Sequence, residues 1–422
     1  MQVTTPALDP AAADQSRRDE ILDTAALVFA RSGVRTSLKE IADACGILPG
    51  SLYHHFASRD AIVLELVARY EDEIDHLAKS AVERLRLPHA IPDDHVVVDL
   101  ATAIADCAIR HRAALFLTMY DHPAGTGETL ARSASLAPAA IIDAMQETVR
   151  AAQATGALRA DIAAASIAER LCQCMLDIGA GMFHGSRGYG QMPTIATRLL
   201  LDGLAERRPK DSILDRSRAF KAAQLAIAGW KTEPTDAEDR GAVLRAAARR
   251  EFGRRGYEAT TIRDIAAAAG VSTGSVYRVV GSKEELLVSV MQSFAATVTA
   301  SWEAVLGSDS TAVEKLDALT WVNINLLDRH REEFRIQLGW VLESPPAAEL
   351  GWSFKTRLRE IKALLREGTR SGEIRLPHSS IDTCAQCVLE LVWIPENMLH
   401  TGTRPALDLA RDTLLRGAAA RS

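Results

Sequence analysis

The chain has 422 residues, which is too long for a single hydrophobic core and predicts two or more domains. Its hydrophobic content of 47%, with only 5% aromatic residues, is typical of an Ala- and Leu-rich helical protein. The formal net charge of −6 excludes a general binder of polyanions and still allows a local basic patch.

We expect a cytoplasmic protein without a membrane partner. No apolar run has the length of a membrane span, and residues 1–18 lack the pattern of a secretory signal. The six cysteines show no spacing of a disulfide framework, which agrees with a reducing compartment.

One stretch of the sequence occurs twice. Residues 20–62 and 243–286 align along their whole length once a single residue after the Gly-Tyr of the second copy is dropped. Nine basic and six acidic residues between Asp239 and Glu285 leave the second copy with a basic excess, whereas the charges of residues 16–60 cancel. Internal repeats define the architecture of a chain, so the two copies predict two equivalent structural units.

The first helix of each copy is predicted from the spacing of its apolar residues. Apolar side chains recur at positions i, i+4 and i+8, which places them on one face of a helix. They are Ile21, Ala25 and Phe29 in the first copy, and Leu244, Ala248 and Phe252 in the second. A glycine follows each helix, Gly33 or Gly256, at the usual position of a left-handed cap.

A second and a third helix follow within a few residues in both copies. Ser37 with Glu40, and Thr261 with Asp264, have the spacing of a capping box, in which a hydroxyl and a carboxylate satisfy the free amides of a helix start. A glycine turn leads into the third helix, which reads LPGSLYHHF or STGSVYRVV. Two short helices joined in this way form a helix-turn-helix, whose second helix fits the DNA major groove.

A fourth helix begins at Ser58 in the first copy and at Ser282 in the second. The free amides at a helix start favour a phosphate, and a basic residue, Arg59 or Lys283, stands beside each start.

The order of these residues resembles the DNA-binding domain of the TetR family of transcriptional regulators. The shared pattern is Thr-Ser/Thr-x-x-x-Ile-Ala, then Gly-Ile/Val, then Gly-Ser-x-Tyr, then Ser-Lys/Arg. It spans residues 16–66, here named the first head, and residues 239–289, the second head. Two copies in one chain resemble the tandem, double-headed regulators of that family. The resemblance implies an all-α fold of two tandem units, each with an N-terminal helix-turn-helix three-helix domain and a helical ligand-binding and dimerisation domain.

The resemblance also implies that the third helix, the recognition helix, and its flanking residues contact double-stranded DNA. The implied contacts are Thr36, Ser37, Pro49, Gly50, Ser51, Tyr53, His54 and Arg59 in the first head, and Thr260, Thr261, Thr273, Gly274, Ser275, Tyr277, Arg278 and Lys283 in the second. Those expected to hold phosphates are Thr36, Arg59, Thr260 and Lys283. Arg278 can read guanine with a bidentate fork, whereas His54 offers at most one or two hydrogen bonds. Tyrosine hydroxyls usually position a protein on phosphate.

The two heads depart from the family pattern at different places. Leu48 stands where a hydroxyl cap is usual, while the second head keeps Ser272. Val279 and Val280 replace the aromatic residue that the first head keeps as Phe56. The first head is therefore expected to have a weaker cap, and the second an altered packing against its own core. Both are still expected to bind DNA.

The repeat continues past the heads into the bodies of the two units. Thr155-Gly-Ala-Leu-Arg159 parallels Ser371-Gly-Glu-Ile-Arg375, Gln173-Cys-Met-Leu-Asp177 parallels Gln386-Cys-Val-Leu-Glu390, and Leu200-Leu-Asp-Gly203 parallels Leu414-Leu-Arg-Gly417. The predicted division is a disordered tail 1–15, the first head 16–66, a first ligand-binding domain 67–206, a linker with a helix 207–238, the second head 239–289 and a second ligand-binding domain 290–422. The linker helix, Ala219–Trp230, is expected to pack on the first unit.

Candidate residues of an effector pocket occur in both bodies. They are Phe116, Met119, Tyr120, Cys174, Met175, Met182 and Phe183 in the first unit, and Trp321, Trp340, Trp352, Phe354, Cys387 and Trp393 in the second. Five of the six tryptophans lie in the second unit, which favours an aromatic-walled pocket there and a lipophilic or ring-bearing effector. Each residue taken singly is more typical of an ordinary helical core.

No metal, cofactor or catalytic site is predicted. Cys172-x-Cys174 and Cys384-x-x-Cys387 lack a second Cys or His pair at zinc spacing, which favours buried thiols over a metal or redox site. Phosphate-binding loops, catalytic serine motifs, zinc-protease motifs and dinucleotide fingerprints do not occur in the sequence, so an enzyme has no support.

These patterns predict a sequence-specific regulator of transcription. The expected protein is a repressor, released by a small lipophilic effector, that places two non-identical heads on an asymmetric DNA operator as an intramolecular pseudo-dimer. Further pairing into a homodimer, and activation in place of repression, stay open. The alternatives are a ligand-sensing interaction protein with one or both heads vestigial, and an all-helical enzyme.

Overall fold

The structure, a computed structural model, describes residues 10–32, 36–87, 92–118, 138–180, 189–230, 239–257, 259–343 and 354–420. Every regular element in these ranges is helical, apart from two isolated antiparallel β-bridges. The all-α prediction is confirmed. Within the same ranges, no helix has the length and apolar character that a membrane span requires.

The first unit begins with a long helix. Its helices are α1 (Pro10–Ser32), α2 (Leu38–Ala44), α3 (Pro49–His55), α4 (Arg59–Leu85), α5 (Asp94–Arg110), α6 (Arg112–Thr118), α7 (Ala139–Ala154), α8 (Ala164–Ala180) and α9 (Met192–Asp202), with a 3₁₀ turn at Tyr189–Gln191. Helix α1 starts at Pro10, inside the segment predicted as a tail. Proline suits a helix start, where a missing amide needs no partner.

The second unit repeats this order. After α10 (Asp211–Leu214) and α11 (Arg218–Ala228), its helices are α12 (Arg240–Arg255), α13 (Ile262–Ala269), α14 (Thr273–Val280), α15 (Lys283–Leu306), α16 (Ala312–Arg329), α17 (Arg331–Glu343), α18 (Phe354–Ser371), α19 (Ile381–Leu391) and α20 (Thr403–Ala410), with a 3₁₀ segment at Glu396–Thr401 and a π turn at Arg411–Leu415. Helices α12–α15 correspond to α1–α4. In both units the fourth helix starts in the head and continues into the body.

The bodies are built by long amphipathic helices. In the first unit α5 packs against α8, α8 against α7, and α7 against α4. In the second, the buried Trp302 of α15 donates its indole hydrogen to Oδ1 of Asn323 on α16 at 3.1 Å. Asn323 in turn donates to the carbonyl oxygen of Val392 at 3.2 Å. Buried polar groups need partners, so these bonds align α15, α16 and the end of α19.

The linker helix α11 packs on the second unit, which corrects the expectation that it lies on the first. Its buried side chains Phe220 and Ile227 face α15 and α16. The Phe220 ring stacks on Trp321 with centroids 5.8 Å apart, and Trp230 Nε1 donates to Ser301 Oγ at 2.9 Å. Burying each large apolar side chain contributes roughly 1.5–3 kcal/mol. An apolar stripe alone does not say which body it covers, so the sequence pattern did not determine this choice.

The two units meet along a surface that we call the seam. Helix α9 packs there against α19 and against the π turn at Arg411–Leu415. Two β-bridges cross the seam, Leu158 with Ala419 and Ala205 with Ile374. In the repeat, Leu158 corresponds to Ile374 and Ala205 to Ala419, so the two bridges are the same contact made twice. A surface that repeats in this way is isologous, as in a two-fold symmetric dimer.

Gly203 and Gly417, which end the repeated Leu-Leu-x-Gly motifs, face each other in the seam. Their φ angles are positive, 72° and 81°. A Cβ on Gly203 would lie 2.4 Å from the amide nitrogen of Gly417, and a Cβ on Gly417 would lie 2.4 Å from the carbonyl carbon of Asp202. Backbone meets backbone at this point, so the close approach requires glycine in both units.

Candidate nucleic-acid interface

Each head starts its second helix at a complete capping box. The Ser37 hydroxyl accepts the Glu40 amide at 3.2 Å, and the Glu40 carboxylate accepts the Ser37 amide at 2.7 Å. Thr261 and Asp264 make the same two bonds at 3.2 and 2.9 Å. The bond from the Ser37 backbone lowers the pKa of Glu40 because it favours the charged carboxylate. Both predicted boxes are confirmed, and they fix the helix that precedes each recognition helix.

The recognition helices α3 and α14 are anchored by the buried side chains of Leu52 and Val276. Tyr53 and Tyr277 lie on the opposite side, with 57% and 56% of their surface exposed. The other predicted contact residues that are exposed on these helices are Pro49, Gly50, Ser51, His54, Thr273, Gly274 and Arg278, and Ser275 is half-buried. Each head therefore presents a short helix with an open polar and aromatic face, the geometry that suits a major groove.

The starts of the two recognition helices differ as the sequence predicts. Ser272 accepts the amide of Ser275 at 3.2 Å, and the two hydroxyl oxygens lie 3.0 Å apart. Leu48, at the same position in the first head, makes no side-chain cap and is 76% exposed. A missing hydroxyl cap costs a helix about 1 kcal/mol. Ser275, predicted to contact DNA, thus also stabilises its own helix.

Thr36 and Thr260 do not lie on the surface. Both are buried, and the Thr260 hydroxyl donates to the carbonyl oxygens of Glu251 and Gly256 at 3.1 and 2.8 Å. The Thr260 hydroxyl thus links the end of the first helix of its head to the start of the second helix. The contact of Thr36 and Thr260 with phosphate stays a prediction.

Arg59 and Lys283 occupy the first position of the fourth helix in their heads. The Arg59 guanidinium lies 5.2 Å from the ring centroid of Phe29, and its Nε donates to the carbonyl oxygen of Thr36 at 2.9 Å. Lys283 Nζ lies 4.1 Å from the ring centroid of Tyr257. Aromatic faces attract cations, so both charges are held at a helix start, where free amides favour an anion. Their contact with phosphate stays a prediction.

Arg18 is a structural residue of the first head that sequence reasoning missed. Its guanidinium donates to the carbonyl oxygen of His55, at the end of α3, and its Nε donates to Glu65 on α4 at 3.2 Å. It also lies 4.2 Å from the ring centroid of Phe56. The second head has Gly241 at the equivalent position. The sequence shows only an arginine that precedes the first apolar residue of the repeat. Its partners, His55 and Glu65, are distant in the sequence and are identified only by the fold.

The second head is attached to its body by a charged network. Helix α12 packs on α17, and a Cβ on Gly253 would lie 3.0 Å from Cβ of Glu332. Arg249 pairs with the buried Glu333 at 3.3 Å, and His330 Nδ1 lies 3.5 Å from the same carboxylate. Burial opposes ionisation of Glu333, but the hydrogen bond with His330 and the charge of Arg249 outweigh it and lower the pKa. The carboxylate therefore links head to body in its charged form.

Comparison with known families assigns the heads. The family described as bacterial regulatory proteins, tetR family, matches residues 21–66 and 244–290. The chain thus contains two segments in tandem that match this family. They run from within α1 into α4 and from within α12 into α15, and so contain the helix-turn-helix of each head.

Curated relatives match shorter parts of the chain. The HTH-type transcriptional repressor KstR2 of Rhodococcus jostii is 35% identical over 121 residues, which are 26% of this chain and 59% of the relative. KstR2 of Mycobacterium tuberculosis is 49% identical over 80 residues, 17% of this chain and 40% of the relative. The chain thus spans less than two thirds of the length of these relatives. The solved structure of the ketosteroid transcriptional regulator KstR2 of Mycobacterium tuberculosis covers 34% of this chain and 74% of that chain, with 27% identity and a TM-score of 0.32.

The predicted effector-pocket residues are only partly placed by the structure. Those outside the described residues are Met119, Tyr120, Met182, Phe183 and Trp352, and the side chains of Phe116 and Trp340 are not described either. Met175 is buried, and Trp393 stacks on Phe334 with centroids 5.0 Å apart. Phe354 is half-buried, as is Trp321, which packs on the linker helix.

The structure brings Cys174 and Cys387 to the seam, together with a buried polar cluster that the sequence did not reveal. The Cys387 thiol lies 3.7 Å from the carbonyl oxygen of Met192 in the other unit. The fully buried Arg170, one turn before Cys174, donates across the seam to the carbonyl oxygen of Leu391 at 3.0 Å. Both cysteines thus pack at the contact between the units.

Two repeat-equivalent acids belong to this seam cluster. Burial raises the pKa of Asp177 to about 7, and burial together with the Asp177 charge raises the pKa of Glu390 well above its usual value. Both acids end the repeated Gln-Cys-x-Leu-Asp/Glu motif. That motif was the signal, but an acid near a helix end is usually solvated, so the sequence alone did not place them at a contact surface.

Proposed function

We propose that this chain is a sequence-specific DNA-binding regulator of transcription and that it acts as a repressor. The observation that carries the proposal is the exposed face of both recognition helices, each behind a complete capping box. The KstR2 relatives that the chain matches are HTH-type transcriptional repressors, which supports repression over activation.

One chain is proposed to act as an intramolecular pseudo-dimer. The seam supports this, because its two β-bridges are the same contact made twice. Two-fold dimers of helix-turn-helix proteins place their recognition helices about 34–36 Å apart, in successive major grooves or multiples of that spacing. A covalent connection raises the effective concentration of the second head, so both heads act on one operator.

The proposed operator has two unlike half-sites, because the heads differ at exposed positions of the recognition helices. His54 in the first head corresponds to Arg278 in the second, and Pro49 to Thr273. A bidentate arginine contact to guanine discriminates against other bases by about 1–3 kcal/mol. The second half-site is therefore proposed to contain a guanine that the first half-site does not require.

The proposed release signal is a small lipophilic molecule that binds in a helical body. The fourth helix of each head, α4 or α15, runs from the head into the body, so a shift of the body also moves the head. An effector that favours a conformer with mismatched head spacing weakens operator binding. By linkage, operator DNA then weakens effector binding by the same factor.

The test is in vitro selection of DNA by the purified chain, followed by binding of the selected site to Arg278→Ala. We expect two dissimilar half-sites about one helical turn apart. Arg278→Ala should weaken binding about 5- to 150-fold and relax the base preference in one half-site only, the factor that corresponds to about 1–3 kcal/mol. Arg370→Ala, an exposed arginine on α18, is the matched control and should leave affinity unchanged.

Other outcomes of this experiment would support one of two alternative hypotheses. A palindromic site, with unchanged affinity of Arg278→Ala, would mean that the first head dominates and that chains pair. Absence of any enriched site, together with salt-independent binding, would favour an interaction protein with vestigial heads, because phosphate contacts make DNA binding depend on salt.

A further inference from the structure

A cysteine, a histidine and a glutamate come together in the first body, where α4 lies against α5. The ligand atoms of Glu73, Cys107 and His111 all lie within 4.8 Å of one another. Cys107 is in the last turn of α5 and His111 is its C-cap, so the two side chains are one helical turn apart on the same face. Glu73 comes from the middle of α4. We propose that these three side chains bind a divalent metal ion of the zinc class.

The chemistry of the three ligands favours zinc over the hard cations. Thiolate, imidazole and carboxylate are the side chains that bind Zn²⁺, and three protein ligands leave one coordination position open. Ca²⁺ and Mg²⁺ prefer sites made of oxygen atoms only. The mixed sulfur, nitrogen and oxygen set therefore selects a borderline metal ion.

The burial of the three side chains leaves a path for the ion. Cys107 is buried, while the side chains of His111 and Glu73 are 16% and 33% exposed. The site is closed on the thiol side and open on the carboxylate side. The His111 ring also lies 6.0 Å from the Tyr70 ring, which limits the orientations of the imidazole. The ligands are thus largely positioned before an ion arrives.

Binding requires a rearrangement that the present contacts define. His111 Nε2 and Glu73 Oε2 are 2.8 Å apart and hydrogen-bonded, and the ion replaces this bond with one bond to each atom. A cysteine binds a metal ion as the thiolate, so zinc binding forms a zinc–sulfur bond and releases the thiol proton to solvent.

Arg110 competes with the proposed metal ion for the Glu73 carboxylate. Its Nε donates to Glu73 Oε1 at 3.0 Å, on the solvent side of the carboxylate. The guanidinium repels a second cation nearby. Removing the Arg110 charge should therefore strengthen metal binding, an effect that no structural role of the cluster predicts.

The second unit provides an internal comparison. His330 is the C-cap of α16, as His111 is of α5, and both are followed by arginine. Leu326 stands one turn before His330, where the first unit has Cys107. The second unit thus has the same histidine without the thiol. The proposed metal joins α4, which carries the first head, to α5, and the proposal does not depend on DNA binding.

The test uses the reduced, metal-free full chain and Co²⁺ as a spectroscopic probe for Zn²⁺. We expect one ion per chain and a thiolate-to-cobalt absorption band that Zn²⁺ displaces. Cys107→Ser should remove the band and weaken Zn²⁺ binding by at least about 100-fold, since even the loss of a residue that supports a ligand costs about 10- to 100-fold. The matched control is Cys384→Ser, which changes a buried thiol of the second unit. It should keep both the absorption band and the Zn²⁺ affinity of the wild type.

Two further variants make the result independent of the folding of one mutant. His111→Gln should weaken Zn²⁺ binding as Cys107→Ser does, and Arg110→Gln should strengthen it. The proposal is overturned if the folded wild-type chain shows no thiolate-to-cobalt band. It is equally overturned if Zn²⁺ affinity is the same in wild type, Cys107→Ser and His111→Gln.

Discussion

Repeated positions differ between the two heads, whereas they keep the same contacts at the β-bridges of the seam. In the heads, the first recognition helix is held at its C-terminal end by Arg18, whereas the second is capped at its N-terminal end by Ser272. At the two β-bridges of the seam, the two units keep equivalent residues in equivalent contacts, and Gly203 faces Gly417. The bridge and glycine contacts between the units thus retain the repeat, while the recognition helices, which are proposed to face DNA, differ.

The contacts between the units and the recognition helices place different physical constraints on the duplicated sequence. An isologous contact is self-complementary, so a change on one side requires a matching change on the other. A recognition helix has no such constraint, because its proposed partner, DNA, lies outside the protein. Substitutions at the bridge and glycine positions of the seam should therefore act alike in both units, and substitutions in the heads should act differently.

The largest effect is expected from Gly203→Ala or Gly417→Ala. Each places a Cβ 2.4 Å from backbone atoms of the other unit, at a positive φ angle. We expect each to lower the free energy of unfolding by at least about 3 kcal/mol, through backbone strain and loss of the close approach. Urea unfolding measures both. Gly156→Ala is the control, since its φ is 79° with no atom within 4 Å, and should cost about 1 kcal/mol. Unequal losses at 203 and 417 would show that the seam is not equivalent on its two sides.

A pH-dependent effect is expected from Asp177→Asn. The pKa of Asp177 is raised from 3.8 to about 7, so its favourable contribution to stability is present below about pH 4 and is lost as the pH rises through 7. Such a shift corresponds to about 4 kcal/mol, and we expect about 2 kcal/mol because the half-buried carboxyl keeps some contact with solvent.

The measurement is the free energy of unfolding of both proteins between pH 4 and pH 8. Asp177→Asn should match wild type near pH 4 and exceed it by about 2 kcal/mol at pH 8. Asp143→Asn, an exposed acid on α7, is the control and should follow wild type throughout. A constant difference across the pH range would contradict a role of ionisation.

A smaller effect, confined to the first head, is expected from Arg18→Ala. The variant loses hydrogen bonds to the His55 carbonyl oxygen and to Glu65, which at a half-buried position contribute about 1.5 kcal/mol. Amide hydrogen exchange of α3 should accelerate, while that of α14 should not change. Arg84→Ala, at an exposed arginine near the end of α4, is the control and should change the stability of neither helix by more than about 0.5 kcal/mol.

The smallest expected effect compares the two caps. Leu48→Ser supplies the hydroxyl that the first recognition helix lacks, and should stabilise α3 by about 1 kcal/mol. Ser272→Ala should destabilise α14 by a similar amount. Hydrogen exchange of the first-turn amides measures both changes. If Leu48→Ser leaves exchange of α3 unchanged, the exposed leucine has a stabilising role that its side-chain contacts do not reveal.

The helices of the heads could be predicted from the sequence because the residues that define each helix start lie within one helical turn. The capping boxes at Ser37 and Thr261 depend on residues three positions apart, and both are present as predicted. The burial of Thr36 and Thr260 was not predictable in this way, because it depends on how the first helix folds back over them.

Longer-range features required the fold. Phe220 and Ile227 mark an apolar face, but the choice of partner body depends on packing against α15 and α16. Glu73, Cys107 and His111 are far apart in the sequence except for one Cys-x-x-x-His spacing, and only the packing of α4 on α5 joins them. Likewise, Asp177 and Glu390 share a repeated motif, but their pKa values follow from a contact surface that the motif does not specify.

The seam lies within a single chain, and this changes how the protein responds to dilution. A homodimer dissociates when its concentration falls below the dissociation constant, so its paired state depends on expression level. Here Leu158, Ala205, Ile374 and Ala419 belong to one polypeptide, and the local concentration of each partner does not change with the number of molecules in the cell. The arrangement of the two heads is therefore the same at one copy per cell as at a thousand.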